Sequence, residues 1–270
     1  MSQPMWLVSL LKKYFPYRFK IARLTRVPVI GKWMDEIMFK EDDIIYLPKD
    51  TVIIHQSLHP ENILLPSQIV DLFIAKASHR WIMNSCICRE AAGCTDFPHE
   101  FGCVFLGEAV LKINPKLGRL VTKEEALAHV HKCQQAGLFQ MIGRDKLDTL
   151  WLGTGPGSKL LTICNCCPCC CLFKMMPDLN EEINARVTRM PGVELKVLDT
   201  CQGCGACTEG ACFVNAIHMG EDGKAFIKAD CRGCGHCVEV CPTASIELHI
   251  ENPEFYEDTI KRLSAAVDVT

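Results

Sequence analysis

The residues of this chain with chemistry to offer are thiols, 19 cysteines among 270 residues. Two segments share a pattern, CQGCGACTEGACF at 201–213 and CRGCGHCVEVCPT at 231–243, each with three cysteines at CxxCxxC spacing and a fourth shortly after. A further segment, CNCCPCCC at 164–171, sets six thiols in eight residues, and CICREAAGC at 86–94 together with Cys103 adds four more. An ordinary core does not require this density, since a buried free cysteine is a small hydrophobe that Ala or Val replaces. The odd total leaves any fully paired disulfide scheme one short. In a reducing compartment, cysteines in such numbers are ligands for a metal or a redox centre.

The 201–213 and 231–243 segments form a 30-residue internal repeat. A CxxCxxC loop curls around three corners of a cluster, while Gly203, Gly205, Gly233 and Gly235 let backbone N–H groups approach its sulfides. Zinc accepts CxxC pairs but gives no reason for a third cysteine at the next interval and a fourth ending in Cys-Pro. The pattern resembles the bacterial-type ferredoxin with two 4Fe-4S clusters, in which the fourth cysteine of each run ligates the other run's cluster. On that resemblance Cys201, Cys204, Cys207 and Cys241 hold one cluster, and Cys231, Cys234, Cys237 and Cys212 hold the second. The first run departs from the family twice. Four residues rather than three separate Cys207 from Cys212, and Phe213 stands where the second run has Pro242. Between the runs, AIHMGEDGKAFI reads as a β-hairpin turning at Asp222-Gly223.

Besides Cys133, ten cysteines lie upstream: Cys86, Cys88, Cys94, Cys103, Cys164, Cys166, Cys167, Cys169, Cys170 and Cys171. They are enough for one or two further iron–sulfur clusters. Alternation along an extended segment puts Cys164, Cys166 and Cys170 on one face and Cys167, Cys169 and Cys171 on the other, with Pro168 distorting the pattern. The segment then forms a wall between two clusters, completed by the 86–103 loop, or wraps one larger, non-cubane cluster. The competing reading is a zinc or mixed structural site. A disulfide between neighbours such as Cys169 and Cys170 is too strained to consider. Arg89 sits beside the cluster ligand Cys88 or forms a surface salt bridge, the more ordinary role; His99 either replaces a cysteine as a ligand or, the more ordinary role for a lone histidine near a loop, binds no metal. Over roughly residues 40–250 the sequence resembles 4Fe-4S dicluster ferredoxin-domain proteins of anaerobic bacteria and archaea, whose N-terminal half carries the same kind of CxCR and CxCCxCCC segments. The resemblance implies a cofactor class and no particular reaction.

Several elements must position these thiols. Residues 29–40 place Ile30, Trp33, Met34, Ile37 and Met38 at helical spacing, predicting a helix packed as core. DDIIYLPKDTVIIH at 42–55 reads as a hairpin around Pro48-Lys49-Asp50. Residues 67–78 predict a helix burying Val70, Phe73, Ile74 and Ala77. Thr122 and Glu125 form a capping box that opens a helix over 122–136, stopped by Gly137, with Cys133 on the core face beside Ala126 and Val130. His129 and His131 are then exposed helix residues. GTGPG at 153–157 lacks both the phosphate-loop Lys and the dinucleotide spacing and is a plain turn. A last helix beginning near Asn252 and Pro253 carries the stripe Tyr256, Ile260, Leu263 and Val267.

The net charge of −3 and the lack of a basic stripe give no reason to expect nucleic acid as a partner. The N-terminus has no basic region before its apolar run, no cleavage site and no twin arginine, which predicts a cytoplasmic protein. Residues 1–40 are basic, with Trp6, Leu7, Leu10, Leu11 and Phe15 on the apolar side. That face either packs on the body of the protein or contacts an anionic membrane surface or a partner protein.

The expected fold class is α+β, with a Cys-rich mixed helical and hairpin domain followed by a two-fold repeated ferredoxin-like domain. The expected divisions are a basic helical segment at 1–40, a Cys-rich iron–sulfur domain at 41–195, the dicluster domain at 196–250 and a C-terminal helix at 251–270. The expected function is electron transfer between a donor and a redox partner through several iron–sulfur clusters. The alternatives are a reductase with a substrate-binding cluster in the N-terminal half, and a redox sensor or cluster-delivery protein. No S-adenosylmethionine radical motif, flavin or nicotinamide fingerprint, or acid–base pair is evident, so no catalytic residue is assigned.

Overall fold

A computed structural model describes residues 3–56 and 64–270. Its central feature is a seven-stranded sheet built from β1 (Asp43–Tyr46), β2 (Arg80–Met83), β3 (Val104–Leu106), β4 (Gly118–Leu120), β5 (Phe139–Arg144), β6 (Leu161–Cys166) and β7 (Val187–Arg189). The strand order is β4-β2-β3-β6-β5-β1-β7. All neighbours run antiparallel except β1 and β7. Four shorter strands follow: β8 (Val193–Val197), β9 (Ile217–Met219), β10 (Ala225–Ile227) and β11 (Ile246–Ile250), paired β8 with β11 and β9 with β10. The helices are α1 (Met5–Tyr14), α2 (Arg18–Leu24), α3 (Pro28–Met38), α4 (Asp50–Gln56), α5 (Pro66–Lys76), α6 (Ile87–Ala92), α7 (Lys123–Gln135), α8 (Lys146–Leu152), α9 (Glu181–Asn184), α10 (His236–Glu239) and α11 (Phe255–Ala266). The protein is therefore of mixed α and β structure.

Strands β5 and β6 are apolar along most of their length because both faces of the sheet are covered. On one face, Ile45, Val104, Ile142 and Ile163 join a core supplied by Val70, Phe73 and Ile74 of α5, Ala126 and Val130 of α7, and Leu263 of α11. On the other, Tyr46, Phe139 and Met141 lie with Cys164 and Cys166 in a second core. The register sets Met141 opposite both Tyr46 and Cys164, and Phe139 opposite Cys166. A period of two thus points both thiols of β6 toward the same aromatic surface.

The helix at 122–136 forms as expected. Thr122 Oγ1 accepts from the Glu125 N–H at 3.2 Å, Glu125 Oε2 accepts from the Thr122 N–H at 2.9 Å, and Gly137 takes φ +83° beyond its end. Cys133 is fully buried, and so are Val70, Phe73, Ile74 and Ala77 of the expected 67–78 helix. The hairpin expected at 42–55 does not form. Both edges of β1 are already taken, by β5 and by β7, so its neighbouring apolar run has no edge to pair with. That run begins α4 instead, where Asp50 Oδ1 accepts from the Ser67 N–H at 3.1 Å and Val52 enters the core.

The stripe of α3 is a second departure. Met34 is buried, but Trp33 is 65% exposed and Ile30 and Ile37 are also exposed. The helix instead docks through Gly31, where a Cβ would lie 1.9 Å from the Thr25 carbonyl oxygen, and through the Asp35–Arg186 ion pair, with Arg186 Nη2 2.8 Å from Asp35 Oδ2. In α1, Val8 is buried while Trp6, Leu10 and Tyr14 are exposed. Among the described residues no helix is long and apolar enough to cross a membrane.

Candidate functional site

The loops that follow β8 and β10 carry eight thiols, and the fold divides them into two groups. Cys201, Cys204, Cys207 and Cys241 line one small hollow of about 10 Å³. Cys212, Cys231, Cys234 and Cys237 line another of about 20 Å³. The hairpin of β9 and β10 lies between the two loops in sequence and turns where the sequence predicts, with the Gly220 N–H donating to the Lys224 carbonyl at 2.7 Å. Gly203 and Gly233, after the first cysteine of each loop, have φ of +66° and +68°. Only glycine takes that conformation without strain, and a Cβ on Gly203 would also come within 2.2 Å of the Gly223 carbonyl oxygen.

Backbone N–H groups point at the sulfurs: Ala216 at Cys212 Sγ (3.2 Å), Gly233 at Cys231 Sγ (3.4 Å) and Ser245 at Cys241 Sγ (3.3 Å). Such bonds favour the thiolate, the ligating form. Burial raises Cys241, but the Thr243 hydroxyl and the surrounding N–H groups outweigh it and hold the thiol below its ordinary value. Deeper in the fold, burial pushes Cys234 up to about 12, so a thiolate there requires a metal to stabilise it. The donor sets and the glycine-lined loops fit an iron–sulfur cofactor.

Phe213, the residue that departs from Cys-Pro, is buried. It stacks on Tyr46 with ring centroids 4.7 Å apart and on Phe139 at 5.1 Å. The second hollow is thereby pressed against the aromatic face of the large sheet. Lys49 secures the same junction, its N–H donating to the Cys234 carbonyl at 3.3 Å and its Nζ lying 2.5 Å from Glu239.

Beside the same core, which Cys164, Cys166 and Cys171 also border, lies a cavity of about 390 Å³ lined by Cys86, Cys88, Cys103, Cys164, Cys166, Cys167 and Cys171. Cys103 Sγ is 3.4 Å from Cys164 Sγ, and Cys171 Sγ is 3.4 Å from Cys166 Sγ. The other upstream thiols, Cys94, Cys169 and Cys170, gather with Cys167 so that their four sulfurs all lie within 4.8 Å of one another. The strict alternation expected from sequence therefore fails beyond β6. The chain turns at Pro168, which exchanges the last two cysteines: Cys170 joins Cys167 and Cys169, while Cys171 returns to the side of Cys164 and Cys166.

Arg89 is fully buried rather than in a surface salt bridge. Its guanidinium donates to the carbonyls of Asn165 (3.0 Å) and Phe101, and its charge faces Cys86 and Cys167. Burial lowers its pKa, yet the neighbouring thiols more than reverse that and hold it up. Arg18 of α2 also borders the cavity, its guanidinium 4.2 Å from the ring centre of Phe15. Leu7, Leu11 and Phe15 complete that wall, so the basic N-terminal segment is part of the site. His99 Nε2 bonds the Cys94 carbonyl at 2.8 Å and is no ligand. His131 is exposed as expected, whereas His129 is half-buried and bonds the Gly102 carbonyl at 2.9 Å.

Sequence reasoning passed over the acids of this region. Asp145 and Asp148 border the cavity; Asp145 is buried and Asp148 half-buried, and desolvation raises both carboxyls. Asp148 accepts from Trp151 Nε1 and Thr162 Oγ1, each at 2.8 Å. Asp145 is the N-cap of α8, its Oδ1 accepting from the Leu147 N–H at 2.9 Å. Nothing in the spacing marks these residues.

Residues 194–242 match the family model of a 4Fe-4S dicluster domain. The match takes in all eight thiols of the two loops, and the chain thus carries an iron–sulfur domain. Neither the curated proteins nor the solved structures gave a match.

The acids generate a pH prediction. Burial, opposed in part by the Lys146 N–H, holds Asp42 up at about 7 against an ordinary 3.8. Its proton is bound more tightly in the folded state, so stability is lost as pH rises from about 4 through 7. Asp42→Asn keeps an acceptor for Lys146 and removes the charge. Its unfolding temperature, followed by circular dichroism, should fall less than that of the native protein between pH 5 and pH 8; parallel curves would exclude Asp42 as the source.

Proposed function

We propose that this chain is an electron-transfer protein. One 4Fe-4S cluster is held by Cys201, Cys204, Cys207 and Cys241, a second by Cys231, Cys234, Cys237 and Cys212. A further iron–sulfur centre is held in the large cavity by Cys86, Cys88, Cys103, Cys164, Cys166 and Cys171. When bound, such clusters supply one-electron transfer with little change in shape. The observation that carries the proposal is that one buried aromatic core adjoins both the second hollow and the cavity. Tyr46 is fully buried within it, and Cys171, Cys166 and Cys234 all lie near enough to act on its phenol. Burial keeps its phenol well above the ordinary value, so it remains neutral and adds no charge between the two sites. Phe213 stacks against its ring and against Phe139, and both phenylalanines are buried.

The remaining residues serve this path. Arg89 and Arg18 offset negative charge gathered at the cavity thiols. Cys204 is exposed, which makes the first hollow the end that meets a redox partner. Exposed Glu209, Glu221 and Asp222 nearby favour a basic surface on that partner. The size of the cavity and the nearby Asp145 and Asp148 favour a second reading, a reductase whose substrate binds beside the upstream centre.

One set of spectra tests both readings. Cys204→Ser and Cys234→Ser should each remove a different signal from the EPR spectrum of the reduced chain. Phe213→Leu should keep iron and sulfide while slowing reoxidation of the upstream centre through the dicluster loops. Unchanged kinetics in that variant would remove the aromatic path. Cyanide should leave the upstream spectrum unaltered in a relay, and a cyanide-induced shift would favour the reductase.

The N-terminal helices support a membrane contact. Trp6, Tyr17, Leu24, Val29 and Trp33 are exposed among Lys13, Lys20, Arg23, Arg26 and Lys32, the composition of a surface that lies on anionic lipid. Trp6→Glu with Trp33→Glu should weaken co-sedimentation with vesicles containing phosphatidylserine at least tenfold and leave iron content intact. Equal binding by the native and variant proteins would reduce this face to a solvated one.

A further inference from the structure

The upstream thiols are not one set. Four of them, Cys94, Cys167, Cys169 and Cys170, bring their sulfurs within 4.8 Å of one another, and Cys94 Sγ lies 3.5 Å from Cys169 Sγ although the two are 75 residues apart. A tetrahedral ion with thiolates at ~2.3 Å sets its sulfurs about 3.8 Å apart, which this group accommodates. In a four-iron cube each cysteine caps a separate iron and points outward, spreading the sulfurs further. We infer that these four residues bind a single Zn²⁺ ion in a closed tetrathiolate site, distinct from every iron–sulfur site of the chain.

The surroundings fit a closed site. Cys133 and Leu138 are buried beside it, and Phe97 and Phe101 pack on the same group. The backbone amides of Asp96 and Phe97 favour the thiolate of Cys94, as outer groups around a metal-bound thiolate do. His99 is committed to the Cys94 carbonyl and leaves the sulfurs as the donors. Four thiolates on Zn²⁺ carry two net negative charges, which burial penalises unless a cation is near. Arg89 meets that requirement: it is buried, its hydrogen bonds to carbonyls leave its charge uncompensated, and that charge acts on Cys167.

The position explains what the ion does. Cys94 follows Gly93, the left-handed residue that ends α6, and the other three ligands lie in the turn that follows β6. Cys86 and Cys88 at the start of α6, and Cys164, Cys166 and Cys171 around the turn, border the large cavity. The ion clamps the two cavity-bearing segments together, and having no redox chemistry it takes no part in electron flow.

The inference does not depend on the relay, because zinc and iron are measured separately. X-ray absorption at the zinc edge on the full chain, expressed with both metals and purified anaerobically, should give about one zinc per chain. Its first shell should be sulfur alone at ~2.3 Å, with no iron beyond it. Cys94→Ser and Cys169→Ser should each lower zinc at least fivefold while Cys204→Ser leaves it unchanged. If the cysteine variants fail to accumulate, the native spectrum decides alone. Absence of zinc, nitrogen or oxygen in its first shell, or zinc retained in both variants would overturn the assignment.

Discussion

The stack of Phe213 on Tyr46 determines how the two thiol-rich halves of this molecule meet. Tyr46 ends β1, whose two edges are held by β5 and β7, so its ring is fixed by backbone pairing as well as by packing. Phe213 directly follows Cys212, so the loop bearing that thiol cannot shift without breaking the stack. An aromatic pair of this kind contributes ~0.5–1.5 kcal/mol beyond the area it buries. Its larger consequence is geometric, since Cys212, Cys231 and Cys234 of the dicluster loops and the upstream Cys164, Cys166 and Cys171 all border the same buried cluster. Phe213 stands at the position where the second loop has Pro242.

Charge is the second constraint. Buried thiols resist ionisation, and the structure provides for thiolates through backbone N–H groups at Cys212, Cys231 and Cys241 and through Arg89 between the cavity and the Cys94 group. Between the halves the Tyr46, Phe139 and Phe213 rings are neutral, while the Lys49–Glu239 ion pair and the buried Arg232 lie at the same junction.

The eight thiols of the dicluster region were legible in the sequence because cluster chemistry acts on local spacing, and a loop of a few residues must present three ligands. The helix at 122–136 was legible for a similar reason, its capping box being a contact over three residues. What escaped depends on distant partners. Whether 51–55 forms a strand was decided by residues near 141 and 187 that occupy both edges of β1. The periodicity of α3 identifies an apolar face without saying what covers it, and Trp33 proves to be exposed. The partition of the 164–171 thiols turned on Pro168, beyond which a period of two no longer applies. Arg89 looked like a surface cation because charge alone does not reveal burial.

The central claim is that iron–sulfur centres adjoin the Tyr46–Phe213 core both at the second hollow and in the cavity and exchange electrons across it. Stepwise reduction of the anaerobic full chain, followed by EPR with iron and sulfide analysis of the same sample, tests it most directly. The account predicts iron and sulfide beyond the share of two 4Fe-4S clusters, and an upstream signal that broadens through magnetic interaction once the clusters of the 201–241 loops are reduced. Iron and sulfide equal to two 4Fe-4S clusters, with no upstream signal at any stage of reduction, would contradict it.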